Sequence, residues 1–209
     1  MRHSDGFVDV GSNVGVYSLL AASIAGRDSE IIAIEPAPSS RWQLLEHVAA
    51  NRLERVHVVA AAAGRRPGWV KMTTGLGPSN HVIEYRSEPP EQRDQWTACT
   101  SLDEVCAGAS PAFGKMDVEG YELEVLEGAK TLLRNRRPAA WIIEVNGTGE
   151  RYGNNVENLV RHLHAYGGAL FRYDPESNVL VPYDPVERSD DHNPIAVVDR
   201  AFIEARLRT

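Results

Sequence analysis

The chain has 209 residues, of which 43% are hydrophobic and 24% are charged, as is usual for a soluble globular protein of one domain. Its net charge of −7 argues against a phosphate-rich partner, so we expect no nucleic acid to bind. No run approaches the ~18 apolar residues of a membrane span, and the first residues lack the apolar core of a signal peptide. We therefore expect a cytoplasmic protein without a membrane partner.

The first predicted elements form a strand, a glycine-rich turn and a helix. Phe7 to Val10 is a buried parallel strand, and Val14 to Ala25 is a helix. The turn between them reads Asp9-Val10-Gly11-Ser12-Asn13-Val14-Gly15. The second predicted strand, Glu30 to Ile34, ends at Glu35-Pro36.

This layout is typical of a site for an adenosine-containing cofactor. Glycines let the backbone approach the ligand, and the acid accepts hydrogen bonds from the ribose hydroxyls. A dinucleotide fold needs a G-x-G-x-x-G turn for a pyrophosphate, but Asn13 replaces the middle glycine and no third glycine follows at that spacing. The pattern therefore predicts S-adenosylmethionine as the cofactor.

The middle of the chain changes character. A helix is predicted from about Ser39 to Asn51, capped by Ser39 or Ser40, and a third strand from Val56 to Ala62. Residues 64–99 carry short strand patterns broken by Gly and Pro, which predicts a loop and short-strand insertion beside the sheet.

The later elements again alternate between strands and helices. In chain order they are helix Ser101 to Cys106, strand Gly114 to Val118, helix Tyr121 to Arg134, strand Ala139 to Val145, helix Val156 to Ala165, and strands Ala169 to Tyr173, Val179 to Pro182 and Ile195 to Val198. We predict an α/β fold in one domain, residues 1–209, with a Rossmann-like, doubly wound, mostly parallel sheet that ends in an antiparallel strand pair.

Five segments, in this order along the chain, resemble the FkbM-type methyltransferase family. They are Asp9 to Gly15, Ile34-Glu35-Pro36, Thr100-Ser101-Leu102-Asp103, Lys115 to Gly128, and Ile143-Glu144-Val145-Asn146. The resemblance implies the class I S-adenosylmethionine fold and methylation of a hydroxyl on a sugar or a secondary metabolite. The chain departs from the family at its N-terminus, because helices that commonly precede the first core strand are missing. A second subunit, as in a homodimer, is one way to complete the substrate site.

Cofactor-binding residues are expected at four strand ends. Asp9, with Gly11, Asn13 and Gly15, should hold the methionine end of the cofactor, and Glu35, followed by Pro36, should bind both ribose hydroxyls. Small side chains around Ala61 should leave room for the adenine. Asp117 ends the fourth core strand, near the methyl group that is transferred in this type of fold.

The candidate catalytic residues are Asp117, Glu144 and His81. Asp117 and Glu144 follow neighbouring strand ends, and His81 lies in the insertion, where it could deprotonate an acceptor hydroxyl. Together with Asn146, the two acids offer oxygen ligands that suit Mg²⁺, which would lower the pKa of the acceptor hydroxyl. Either acid could instead act as a base without a metal.

The leading hypothesis is an O-methyltransferase acting on a sugar, oligosaccharide or glycoside hydroxyl. A polyketide or other secondary-metabolite alcohol is the alternative acceptor. A nicotinamide-dependent oxidoreductase and a non-catalytic cofactor-binding subunit also remain open.

Overall fold

The computed structural model describes residues 1–26, 29–90, 96–145, 148–184 and 193–208. The strands are β1 (Phe7–Val10), β2 (Ile31–Ile34), β3 (Val56–Val59), β4 (Ala62–Ala63), β5 (Gly68–Met72), β6 (Val82–Arg86), β7 (Trp96–Thr100), β8 (Phe113–Met116), β9 (Ala140–Ile143), β10 (Ala169–Asp174), β11 (Val179–Pro182) and β12 (Ile195–Val197). The α-helices are α1 (Val16–Ala25), α2 (Pro38–Ala50), α3 (Leu102–Val105), α4 (Glu122–Glu127), α5 (Lys130–Arg134), α6 (Val156–Ala165) and α7 (Arg200–Leu207). Two 3₁₀ turns span Gly77–Ser79 and Thr148–Tyr152.

The large sheet has the strand order β11-β10-β12-β9-β8-β1-β2-β3. Its half from β9 to β3 is parallel, and β1 and β2 are buried along their whole length. Apart from Asp9 in β1, both are continuous apolar runs, which form parallel strands whose two faces are both covered. The predicted doubly wound, mostly parallel sheet is confirmed.

The other end of the large sheet is antiparallel. β12 lies between β9 and β10 and is antiparallel to both, and β10 and β11 form an antiparallel pair at the edge. The antiparallel end predicted from the sequence is therefore present, with β12 inserted between strands that precede it in the chain.

A second, four-stranded sheet has the order β4-β7-β5-β6. The predicted strand Val56 to Ala62 is wrong in its end, because the chain leaves the large sheet after Val59 and Ala62 pairs with Cys99 of β7. The sequence could not show that the chain passes from one sheet to the other here, because a run of small and β-branched residues has the same hydrophobic pattern in either sheet.

Two helix predictions need correction, and one helix was not predicted. The predicted helix Tyr121 to Arg134 is two helices, α4 and α5, and Gly128 lies at the break, where an added Cβ would lie 2.1 Å from the carbonyl oxygen of Gly64. The predicted serine cap of α2 is also wrong: the helix begins at Pro38, whose restricted φ suits a first turn, and has no side-chain cap. The C-terminal helix α7 was not predicted.

Among the helices in the described parts of the chain, none combines the length and apolar character that a membrane crossing requires.

Candidate functional site

A cavity of about 250 Å³ lies at the carboxyl ends of β1, β2 and β8. The turn after β1, Glu35 after β2, and Lys115 and Asp117 at the end of β8 border it. The small sheet and its loops contribute the residues Ala62, Ala63, Met72, Gly77, Asn80, His81 and Val82. Side chains from both sheets therefore meet in one cavity.

The turn after β1 is held against the end of β2. The backbone N–H groups of Gly11 and Ser12 both donate to the carbonyl oxygen of Ile34, at 3.0 and 3.1 Å. Gly11, Asn13 and Gly15 have φ values of 72°, 50° and 90°, in the left-handed region that Gly adopts freely and Asn tolerates. The motif thus produces a compact turn that exposes its backbone along the cavity.

Glu35 is the acid that follows β2, and the structure brings it to the cavity wall. One carboxylate oxygen accepts a 2.8 Å hydrogen bond from the Asn13 N–H, and the other accepts one of 2.8 Å from the Ala37 N–H. Burial raises the pKa of Glu35, while these two N–H donors act in the opposite direction. The carboxylate is oriented by the backbone, and each oxygen keeps a second lone pair for a ligand.

Asp9 lies in a different environment from Glu35. It is fully buried, its Oδ2 accepts a 2.6 Å hydrogen bond from the Ser18 hydroxyl, and it is not among the residues that border the cavity. Burial is the main cause that raises its pKa, and nearby Lys115 opposes it. Asp9 thus links β1 to helix α1 and lies away from the surface that a ligand would contact.

Ala61, the predicted adenine neighbour, is buried outside the cavity wall, whereas Ala62 and Ala63 border the cavity. Ser12 also borders it, and its buried hydroxyl has no hydrogen-bond partner among the residues that the structure describes. An uncompensated polar atom in a binding cavity is commonly satisfied by the ligand.

Asp117 and Glu144 meet as predicted for neighbouring strand ends, and Glu119 joins them. One carboxylate oxygen from each lies within 4.8 Å of the others. Burial, the charge of Asp117 and a hydrogen bond with Asp117 raise the pKa of Glu144 to about 7. Asp117 and Glu119 border the cavity, and Glu144 lies directly behind them. The predicted third metal ligand, Asn146, lies outside the described residues.

Glu122 is a structural acid rather than a cavity residue. Its Oε1 accepts hydrogen bonds of 3.2 Å from the N–H groups of both Val118 and Gly120, which lie in the turn before α4. Burial raises its pKa to about 7 despite these donors.

Lys115 is the residue that sequence reasoning missed. Its side chain is buried in β8, yet its Nζ reaches the cavity wall and donates to Asp117. A lysine inside an apolar parallel strand was the available signal, because such strands rarely bury a charge without a partner.

His81 lies at the side of the cavity formed by the small sheet. Its Nδ1 lies 3.1 Å from the carbonyl oxygen of Ser79 and 3.5 Å from Thr73 Oγ1, and the tautomer that donates to Ser79 has its lone pair on Nε2. The neutral ring can therefore accept a proton through Nε2.

The sequence model of a family described as the methyltransferase FkbM domain matches residues 9–173. None of the curated proteins matches the chain at a significant level.

Solved structures with the same fold include methyltransferase FkbM from Methylobacillus flagellatus KT, which is 18% identical with a TM-score of 0.61. The match covers 94% of this chain and 44% of that one, so the chain spans less than half of that protein's length. Aeropyrum pernix fibrillarin, solved with natively bound S-adenosyl-L-methionine, is 15% identical with a TM-score of 0.50, over 94% of this chain and 67% of that one. A Streptococcus mutans protein in complex with SAH is 9% identical with a TM-score of 0.51, over 94% and 88%. At these identities the likeness shows the fold alone, which is that of the class I methyltransferases.

Proposed function

Because the chain belongs to the FkbM methyltransferase family, we propose that it transfers the methyl group of S-adenosylmethionine to a hydroxyl of a sugar, oligosaccharide or glycoside. The observation that carries the proposal is one cavity bordered by a backbone-oriented glutamate on one side and by Asp117 on the other. For this reaction the chain itself must supply a group that binds the ribose of the cofactor and a group that accepts the proton of the hydroxyl.

The donor groups around the cavity fit S-adenosylmethionine. Glu35 would accept hydrogen bonds from the ribose hydroxyls with the lone pairs that its backbone donors leave free. The buried Ser12 hydroxyl would gain a partner, and Ala62 and Ala63 leave space beside the turn for a flat ring. When bound, the cofactor supplies an electrophilic methyl group on a positively charged sulfur, which the acids at this edge of the sheet favour.

The chain's contribution to catalysis would be orientation and proton transfer. Holding an acceptor oxygen about 3–3.5 Å from a methyl group provides most of the acceleration, and a positioned base adds ~10²–10⁴-fold. Asp117 borders the cavity, and beside it lies Glu144, whose pKa of about 7 suits proton acceptance at neutral pH. His81, through Nε2, is the alternative base.

Divalent metal binding is a second candidate role for the acids. The close approach of the Asp117, Glu119 and Glu144 carboxylates provides the oxygen ligands that Mg²⁺ prefers. A bound Mg²⁺ would polarise the acceptor hydroxyl and reduce the need for a strong base. The base hypothesis is preferred, because Glu144, with its pKa raised to about 7, can hold a proton and so reduce the repulsion between the carboxylates without a metal.

A groove beside the cavity supports a carbohydrate acceptor. Val82 and Tyr121 border both the cavity and this groove, which has a volume of about 410 Å³. Tyr85, Tyr152 and Arg65 also border the groove. Aromatic rings can pack on the apolar face of a sugar, while hydroxyl and guanidinium groups bind its hydroxyls. A polyketide alcohol remains the alternative acceptor.

The proposal is tested by transfer of a tritium-labelled methyl group to a panel of oligosaccharides, glycosides and polyketide alcohols. Calorimetric titration with S-adenosylmethionine and with NAD checks the cofactor separately. We expect tight binding of S-adenosylmethionine, none of NAD, and label in at least one sugar. If only polyketide alcohols become labelled, the acceptor is a polyketide alcohol and not a sugar. If the cofactor binds but nothing is methylated, the chain is better described as a non-catalytic cofactor-binding subunit.

A further inference from the structure

Lys115 is a buried cation at the centre of the cavity wall. It lies in β8 with 7% of its surface exposed, between the buried residues Gly114 and Met116. Removing an ammonium group from water is costly unless it gains close polar partners. The identity of those partners therefore indicates what the lysine does.

The ammonium group of Lys115 joins two parts of the site that are far apart in sequence. Its Nζ donates to Asp117 Oδ2 at 3.1 Å and to the carbonyl oxygen of Gly11, in the turn after β1, at 3.3 Å. It also lies 5.3 Å from the centre of the Tyr17 ring, close enough for a cation–π contact. Gly11 and Tyr17 border the cavity, as Asp117 does.

The position of the Lys115 ammonium group is not explained by neutralisation of the buried Asp9. Asp9 is the register partner of Lys115 on β1, and the lysine charge does oppose the rise in the Asp9 pKa. The hydrogen bond of Asp9, however, comes from the Ser18 hydroxyl, whereas the directed hydrogen bonds of Lys115 go to Gly11 and Asp117.

We propose that Lys115 is a positioning residue that holds the Asp117 carboxylate against the turn after β1. It would thereby fix the distance between the acceptor hydroxyl and the methyl group of the cofactor. This inference rests on the proposed function, because it assigns Asp117 to the reacting edge of the cavity. One oxygen of Asp117 is occupied by Lys115, and the carboxylate can then rotate only with the loss of that hydrogen bond. A misplacement of about 1 Å in such a site can cost ~10²-fold in rate.

The test is a double-mutant cycle with Lys115→Met, Asp117→Asn and the double variant, measured as kcat and as calorimetric affinity for S-adenosylmethionine. We expect Lys115→Met to lower kcat about 10²-fold and the cofactor affinity no more than a few-fold, because backbone hydrogen bonds to Ile34 also hold the turn. The double variant should be no slower than Asp117→Asn alone, since Lys115 acts through that residue.

Two further variants separate positioning from folding. Lys115→Arg keeps the charge and the donors and should recover most of the lost kcat, and the exposed Lys130→Met should match the wild type. If Lys115→Met does not fold, Lys115→Gln takes its place in the cycle.

If the fold loss in kcat of the double variant equals the product of the losses in the two single variants, the inference is overturned. An unchanged kcat in Lys115→Met would also overturn it. A wild-type protein that binds the cofactor but methylates no acceptor would instead refute the proposed function, and the role of Lys115 with it.

Discussion

Gly11 and Asp117 are in such close contact that a Cβ added to Gly11 would lie 2.0 Å from the carbonyl oxygen of Asp117. The turn after β1 therefore packs directly against the end of β8. A side chain at residue 11 would push these two segments apart.

Replacing Gly11 by Ala should impair both stability and cofactor binding. Gly11 and Gly153 have the same φ of 72°, but an added Cβ at Gly153 meets nothing within 4 Å. Gly153→Ala is therefore a matched control that carries only the backbone strain, ~1–2 kcal/mol. We expect a larger loss in Gly11→Ala, with weaker S-adenosylmethionine binding in that variant alone, measured by denaturant unfolding and calorimetry. Equal losses of unfolding free energy in the two variants would show that the close contact between Gly11 and Asp117 does not contribute to stability.

Replacing Glu35 by Ala should weaken S-adenosylmethionine binding by about 100-fold, or ~3 kcal/mol. The variant loses the charged ribose ligand and leaves the Asn13 and Ala37 N–H groups without their acceptor. The exposed Glu46→Ala in α2 is the control and should bind like the wild type. Wild-type affinity in Glu35→Ala by calorimetry would show that Glu35 does not bind the ribose.

The rate of methyl transfer should rise as the pH passes about 7 and then level off. The pKa of Glu144 is raised to about 7, so in the proposed base mechanism Glu144 loses its proton in this range and can then accept one from the acceptor. Glu144→Gln has no ionisable group at this position, so the step near pH 7 should disappear from its profile. Glu157→Gln, an exposed acid on α6, should leave the profile in place. A profile that is identical in Glu144→Gln would exclude the pair as the titrating group.

Glu122 should make the protein less stable as the pH rises from about 4.5 to about 7. Its pKa is about 7 in the folded protein and 4.5 without the fold, so the folded state binds the extra proton in this window. The stability that this proton provides is complete below about pH 4.5 and is lost above about pH 7, up to ~3 kcal/mol. Glu122→Gln keeps an oxygen acceptor for Val118 and Gly120 and cannot ionise. Relative to the wild type, its free energy of unfolding should therefore be higher at pH 8 than at pH 5, and an unchanged difference would contradict the assignment.

Chelation distinguishes the two roles of the acid cluster. With a base mechanism, EDTA should leave the methylation rate unchanged, and added Mg²⁺ should have no effect. If EDTA abolishes activity and Mg²⁺ restores it, the Asp117, Glu119 and Glu144 carboxylates act as metal ligands instead. Full activity in both Asp117→Ala and Glu144→Ala would exclude either role.

The sequence alone determined the strands of the parallel half in their chain order, the glycine-rich turn after β1 and the acids that follow the strand ends. These features depend on local patterns: buried apolar runs form strands, and Gly and Asn adopt the positive φ of the turn between Gly11 and Gly15. Parallel strands then bring their carboxyl ends to one edge, which is why Glu35 and Asp117 border the same cavity.

Tertiary structure alone decided which of these residues reach the cavity. Asp9 lies near the end of β1 and Glu35 directly follows β2, yet Asp9 is fully buried away from the cavity and Glu35 borders it. The crossing of the chain into the small sheet after Val59, the break at Gly128, and the hydrogen bond from Lys115 to Gly11, 104 residues away, depend on contacts between distant segments. A hydrophobic pattern reports whether a residue is buried, but the partner that a buried polar group finds is set by how the segments pack.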